Sequence, residues 1–240
     1  LINMGLKGRR IGVIGENRYE WEVAYLATVC GVGTIVPLDK ALPESELESL
    51  VERSEIEAIF YSEKYEETVT RIKYNEKNKL KHLISMDNSS HKEGIYSETE
   101  LIEMGKELIA NGDRSFLDAT IDPEEMQIML FTSGTTSNSK GVMICNRNLA
   151  ANINCIPAYI TLYPSDRLFS VLPLHHTYES TIGFLYPISQ GASIAICEGL
   201  KYIVNDLKES EPTAILAVPL LVENFYKKIM DSIKKSHKDK

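Results

Sequence analysis

No run of about twenty predominantly apolar residues occurs anywhere in the sequence, so no segment suits a helix that crosses a bilayer. The two longest uncharged stretches, 148–165 and 180–197, are interrupted by Pro, Gly, Ser or Asn. The opening segment from Leu1 to Arg10 has neither a long apolar core nor a small-residue cleavage site, which argues against a secretory signal and makes a cytoplasmic address the expectation. Excess positive charge is also missing: 26 Lys and Arg against 34 Asp and Glu leave a formal charge of -8. Binding to a nucleic-acid backbone depends on Lys and Arg displacing counterions, so nucleic acid is not an expected partner. Cysteine is sparse, with Cys30, Cys145, Cys155 and Cys197 far apart and no C-x-x-C pair, which reads as buried, reduced thiols. A structural zinc site needs clustered Cys and His, and the one close pair, His175 and His176, has no cysteine nearby; no metal held by protein ligands alone is expected.

What the sequence does contain is an ordinary globular composition, 43% hydrophobic and 25% charged, over a length that admits one large domain or two small ones. Short β-branched runs alternate with longer amphipathic ones, the pattern of parallel strands joined by crossover helices, and the fold class is read as α/β. Strands are expected at 10–14, 34–38, 58–61, 82–86, 127–132, 142–145, 168–172, 193–197 and 214–218. Most are nearly continuous apolar runs, as in mainly parallel sheets flanked by helices on both faces. Helices are expected at 44–53 behind Pro43, at 63–78 capped by Ser62, and at 147–160 capped by Asn146. The polar stretch from Asp87 to Tyr96 and the connection from Gly112 to Pro123 bracket one helix, and a break in substructure is expected within 87–123. The basic tail from Lys227 to Lys240 has no aromatic residue after Tyr226 and reads as a solvated helix end, with peripheral membrane contact left open.

The segment that speaks most directly of chemistry runs from Leu130 to Gly141 and contains Thr132-Ser133-Gly134-Thr135-Thr136-Ser137-Asn138-Ser139-Lys140 between two apolar strands. Backbone N–H groups in a Gly-containing turn form an anion-binding nest, Ser and Thr hydroxyls add rotatable donors, and a lysine adds mobile positive charge. Polyphosphate suits such a loop, although a plain Ser/Thr-rich surface turn has the same composition. The P-loop of nucleoside triphosphatases is a poor match, because that motif needs Ser or Thr after the lysine and here Gly141 follows it.

On these residues the sequence resembles the adenylate-forming superfamily of acyl-CoA synthetases, luciferases and peptide-synthetase adenylation domains. Its signature loop reads Ser/Thr-Ser/Thr-Gly-Ser/Thr-Thr-Gly-x-Pro-Lys-Gly. Thr132, Ser133, Gly134, Thr135, Thr136, Lys140 and Gly141 fall in register, whereas Ser137 stands where Gly is usual and Ser139 where Pro is usual. Upstream, the segment from Ile11 to Trp21, then Ala24-Tyr25-Leu26-Ala27 and the segment from Gly31 to Asp39, look like the opening strand, helix and second strand of an acyl-CoA synthetase; Trp21 reads as a core residue of that helix. Downstream, Leu172-Pro173-Leu174-His175-His176-Thr177-Tyr178-Glu179 resembles the long-chain form of the next family motif.

The resemblance implies an N-terminal part of an AMP-binding domain spanning 1–240. It implies ATP, Mg2+ and coenzyme A as cofactors and a small carboxylic acid as substrate. The loop residues would bind phosphate, and His176 would act catalytically near the substrate carboxylate and the α-phosphate. Val218-Pro219-Leu220-Leu221-Val222-Glu223 resembles the long-chain branch and tilts the substrate to fatty acids. The family's Tyr-Gly-x-Thr-Glu and Thr-Gly-Asp motifs are not found after the loop, and no equivalent of its C-terminal domain follows. The isolated chain is therefore expected not to complete adenylation. A noncatalytic module with an altered loop is the alternative, and oligomeric state is not set by the sequence.

Overall fold

The computed structural model describes residues 1–87, 94–132 and 139–235. The chain divides into two compact units, Leu1–Ile160 and Thr161–Lys240. The division falls after the stretch 87–123 where a break is expected from sequence.

In the first unit, seven strands are found among the described residues: β1 (Arg10–Ile14), β2 (Thr34–Pro37), β3 (Ile56–Tyr61), β4 (His82–Ser85), β5 (Ile95–Ser97), β6 (Met126–Thr132) and β7 (Lys140–Cys145). They form one sheet in the order β5-β4-β3-β1-β2-β6-β7. All neighbours run parallel except β6 and β7, an antiparallel hairpin at the edge. Every residue of β2 and β3 is buried, as continuous apolar runs require when helices cover both faces.

The helices are α1 (Tyr19–Val29), α2 (Glu44–Arg53), α3 (Glu66–Lys73), α4 (Glu98–Ala110) and α5 (Asn146–Cys155). Leu47, Leu50 and Val51 of α2 and Val69 and Ile72 of α3 pack with Ile59 and Tyr61 of β3 into one core. Each such fully buried side chain is worth on the order of 1.5–3 kcal/mol. Phe60, on the opposite face of β3, lines a cavity with residues of α1 and α4. Trp21 is 1% exposed and stacks on Tyr25, with ring centroids 5.6 Å apart, so it is a core residue.

Gly33 explains itself at the turn into β2. A Cβ built on it would stand 2.2 Å from the carbonyl oxygen of Arg9. That oxygen accepts the Thr34 N–H bond that starts the β1–β2 register. Gly33→Ala is expected to destabilise the fold by about 2 kcal/mol, because a backbone clash inside a parallel sheet is not relieved by rotamer change. Urea unfolding checks it, and an unchanged midpoint would reject the account.

Three sequence expectations need correction. The helix behind Ser62 is a single 3-10 turn (Glu63–Tyr65) followed by α3, which ends at Lys73, and Ser62 makes no side-chain cap bond. At α5 the cap position is held by Cys145, and the Asn148 side chain accepts the Cys145 N–H at 3.1 Å; the helix stops at Cys155 before a 3-10 turn at Ile156–Ala158. Among the four thiols only Cys197 is buried. Cys30 and Cys155 are exposed, the latter because α5 buries none of its residues.

The second unit contains β8 (Arg167–Ser170), β9 (Ser193–Ile196) and β10 (Ala214–Ile215) in the order β10-β8-β9, all parallel. A π-helical segment (Glu179–Leu185) runs into α6 (Tyr186–Ser189), and α7 (Ile203–Ser210) and α8 (Pro219–Lys235) follow. Phe169, Cys197, Ile203 and Leu221 form the centre of its core.

Candidate active site

The hydroxyl-rich loop is carried by the β6–β7 hairpin. Because β6 runs parallel to β2, its last residue, Thr132, lies at the carboxyl edge of the sheet, where α/β proteins bind ligands. The register pairs Thr132 with Lys140 and Phe131 with Gly141. Directly opposed residues project to the same face, so the Thr132 hydroxyl and the Lys140 chain share one side of the stem. Both are exposed, and no ion pair to Lys140 is found among the described residues. Ser133, Gly134, Thr135 and Thr136 lie outside the described residues. A Cβ on Gly141 would meet Phe131 Cε1 at 3.5 Å, an ordinary contact, so packing of the stem does not demand glycine there.

The lysine end of the loop is tied to α2. Arg53 Nη2 donates to the Ser139 carbonyl at 2.6 Å, and the Ser139 hydroxyl donates to Glu46 Oε1 at 3.0 Å. The Arg53 guanidinium also lies over the Phe131 ring, 5.6 Å from its centroid. Neither Glu46 nor Arg53 is marked by the sequence, since each sits in a charged helix and meets Ser139 from 93 and 86 residues away.

His176 belongs to the second unit and follows β8, again at the carboxyl end of a parallel strand. Its N–H bonds the Pro173 carbonyl at 3.0 Å and its carbonyl accepts from Ser180 N–H at 2.9 Å, which fixes the bend that starts the helix. The ring is exposed and lies against that of His175, with centroids 4.3 Å apart.

Behind this bend sits Glu179, fully buried, to which the sequence reading gives no role. Ser170 Oγ donates to its Oε1 at 2.6 Å, and burial pushes its carboxyl up to about 7 despite that bond and one from the Val171 backbone. Gly183 leaves room for it: a Cβ there would stand 2.6 Å from the Glu179 carboxyl carbon. π-Helical turns are uncommon and concentrate at functional sites. The signal available in sequence is that Glu179 is the sole Asp, Glu, Lys or Arg between Arg167 and Glu198.

The first unit also carries a partly open cavity of about 350 Å3 between α1, α4 and residues 113–117, lined mainly by apolar side chains and by Glu98. The Glu98 carboxylate is buried, neither oxygen has a hydrogen-bond partner among the described residues, and burial followed by the charge of Glu20 pushes it up to about 8. None of the loop-stem residues lines this cavity.

The family model described as AMP-binding enzyme matches residues 1–239. The chain belongs to the AMP-binding enzyme family. Among its relatives in that family, fatty acyl-CoA synthetase B of Dictyostelium discoideum is 29% identical over 98% of this chain and 36% of its own length. Long-chain-fatty-acid–CoA ligase 1 of Homo sapiens is 26% identical over 95% of the chain and 34% of its own. The ATP-bound crystal structure of MatB from Rhodopseudomonas palustris superposes with a TM-score of 0.70 at 25% identity, covering 91% of this chain and 41% of that one. The anthranilate CoA ligase AuaEII in complex with anthranoyl-AMP gives a TM-score of 0.78 at 18% identity, a likeness of fold, over 89% of this chain and 41% of that one. This member of the family thus spans about a third of the length of the curated relatives just named.

Proposed function

We propose that this chain carries the phosphate-binding part of an ATP-dependent acid–thiol ligase that activates a carboxylic acid, most suitably a fatty acid, and passes it to coenzyme A. The carrying observation is the hairpin that sets Thr132 opposite Lys140 at the carboxyl edge of the sheet, within a family match over residues 1–239. A carboxylate oxygen attacks the α-phosphorus of ATP, the bond to the β-phosphate oxygen breaks, and pyrophosphate leaves. Lys140 and the Thr132 hydroxyl would hold the departing phosphates, contributing fixed charge and donors where negative charge accumulates. Ser133, Gly134, Thr135, Thr136 and Gly141 complete the loop in this reading.

Among the described residues no cluster of three or more His, Cys, Asp or Glu could hold a metal ion. In this reading a Mg2+ would be carried by the nucleotide's own phosphate oxygens and water and would supply charge neutralisation there. The exposed His176 ring is assigned to the carboxylate or α-phosphate as a hydrogen-bond donor. Fatty-acid preference draws on the relatives, which are named as fatty acyl-CoA synthetase and long-chain-fatty-acid–CoA ligase. No described helix is long and apolar enough to cross a membrane.

ATP–pyrophosphate exchange by the full-length protein, run against palmitate, octanoate, benzoate and a set of amino acids, tests the reading. Exchange that depends on a fatty acid is the expected result, and exchange with none of these acids would overturn it. The isolated 240-residue chain is expected to form no acyl-adenylate from ATP and palmitate.

A further inference from the structure

We propose that Glu46 and Arg53, two residues of α2 outside the signature loop, are positioning residues that hold the lysine end of that loop through Ser139. The inference rests on the phosphate-binding reading of the loop given above.

The arrangement is a three-point clasp. Glu46 and Arg53 are seven residues apart, nearly two helical turns, so they project from one side of α2. Arg53 takes the Ser139 carbonyl at 2.6 Å and Glu46 takes the Ser139 hydroxyl at 3.0 Å, so one residue is gripped at backbone and side chain together. The same guanidinium lies over Phe131, which precedes the loop by one residue on the other strand. Both feet of the hairpin are therefore referred to one cation. Each bond has a charged partner, the stronger class of hydrogen bond. Among the described residues β7 has no further strand beyond it in the sheet order, so ladder bonding from that side does not fix Ser139. Lys140 is the next residue, and its backbone direction is set where Ser139 is held.

This also gives meaning to the serine that stands where the family usually has proline. Proline restrains the backbone by its ring, whereas Ser139 offers a hydroxyl that proline lacks and is restrained from outside by α2. The substitution is a change in how the loop is held.

The test is steady-state ATP–pyrophosphate exchange with the full-length protein and palmitate. Arg53→Met is expected to raise the KM for ATP by about tenfold, in the range of a hydrogen bond to a charged group, and Glu46→Ala and Ser139→Ala by about threefold each, below that range because Arg53 still holds the Ser139 carbonyl. The double variant Glu46→Ala with Ser139→Ala should match either single one, because both remove the same bond. Arg53→Lys should recover part of the loss, since an ammonium still donates to the carbonyl but lacks the planar fork. The KM for palmitate should stay within about twofold and Tm within about 2 °C, which separates positioning of the phosphate loop from a general loss of stability. An unchanged KM for ATP in Arg53→Met, equal rises in both KM values, or an additive double variant would each overturn the proposal. A wild-type protein without any exchange would instead reject the phosphate-loop reading itself, and the clasp with it.

Discussion

Replacing Lys140 with alanine is expected to lower fatty-acid-dependent ATP–pyrophosphate exchange by about 10^2 to 10^3-fold, the usual cost of removing one donor aimed at developing charge. The side chain is exposed at the first position of β7, and its backbone pairs with Thr132 whatever the side chain is. Folding should therefore be untouched, and Tm should stay within about 2 °C of the parent. Arginine at the same place keeps the charge but not the compact ammonium, so Lys140→Arg should fall between the two. The loss should appear in kcat/KM for ATP, because pyrophosphate carries the charge that the lysine meets. Exchange by Lys140→Ala within about threefold of the parent would remove the lysine from the mechanism, since such a factor is below what a charged contact supplies.

Glu98→Leu is expected to stabilise the first unit by about 3 kcal/mol near pH 8.5 and to change it little near pH 5. The Glu98 carboxyl is 5% exposed at the N-terminal end of α4, its oxygens have no partner among the described residues, and its pKa is pushed from 4.5 up to about 8 by burial first and by Glu20 second. A carboxyl with a raised folded pKa binds its proton more tightly in the folded state than in the unfolded one. Between about pH 4.5 and pH 8 the folded state therefore holds more protons, and stability falls as pH rises through that window. Leucine has nothing to ionise and adds apolar volume to the wall of the cavity. Glu179, pushed up to about 7, leaves in the variant a fall of the same sign confined to the narrower window from about pH 4.5 to 7. Urea unfolding at the two pH values measures both effects, and a variant less stable than the parent at pH 8.5 would refute the assignment of Glu98 as an uncompensated buried acid.

The parallel sheet was legible because its strands are unbroken apolar runs, and β1 runs over Arg10–Ile14 as expected from sequence. β5 was not legible: Ile95-Tyr96-Ser97 is three residues long, only half-buried, and follows a polar stretch that reads as a connection. β7 begins at Lys140, two residues earlier than its apolar run, because antiparallel pairing with β6 extends the ladder beyond the hydrophobic part. The thiols show the limit of composition most clearly, since Cys30 and Cys155 are exposed although cysteine is usually a buried residue.

Thr132 and Lys140 of the first unit and His176 of the second were each legible as motif residues. Their partners were not. Arg53 and Glu46 reach Ser139 across more than eighty residues, a contact that depends on the β2–β6 crossover and leaves no local pattern. Glu179 was visible as an isolated charge, but its burial against Ser170 and beneath Gly183 follows only from the π-helical turn.

Trp21 is the only tryptophan of the chain, and it lies in the dry interior of the first unit against Tyr25. Its ultraviolet emission consequently reports on the interior of the first unit. The three-stranded unit holds no tryptophan of its own, and a second optical probe, such as far-ultraviolet dichroism, brings its strands and helices into a denaturation curve.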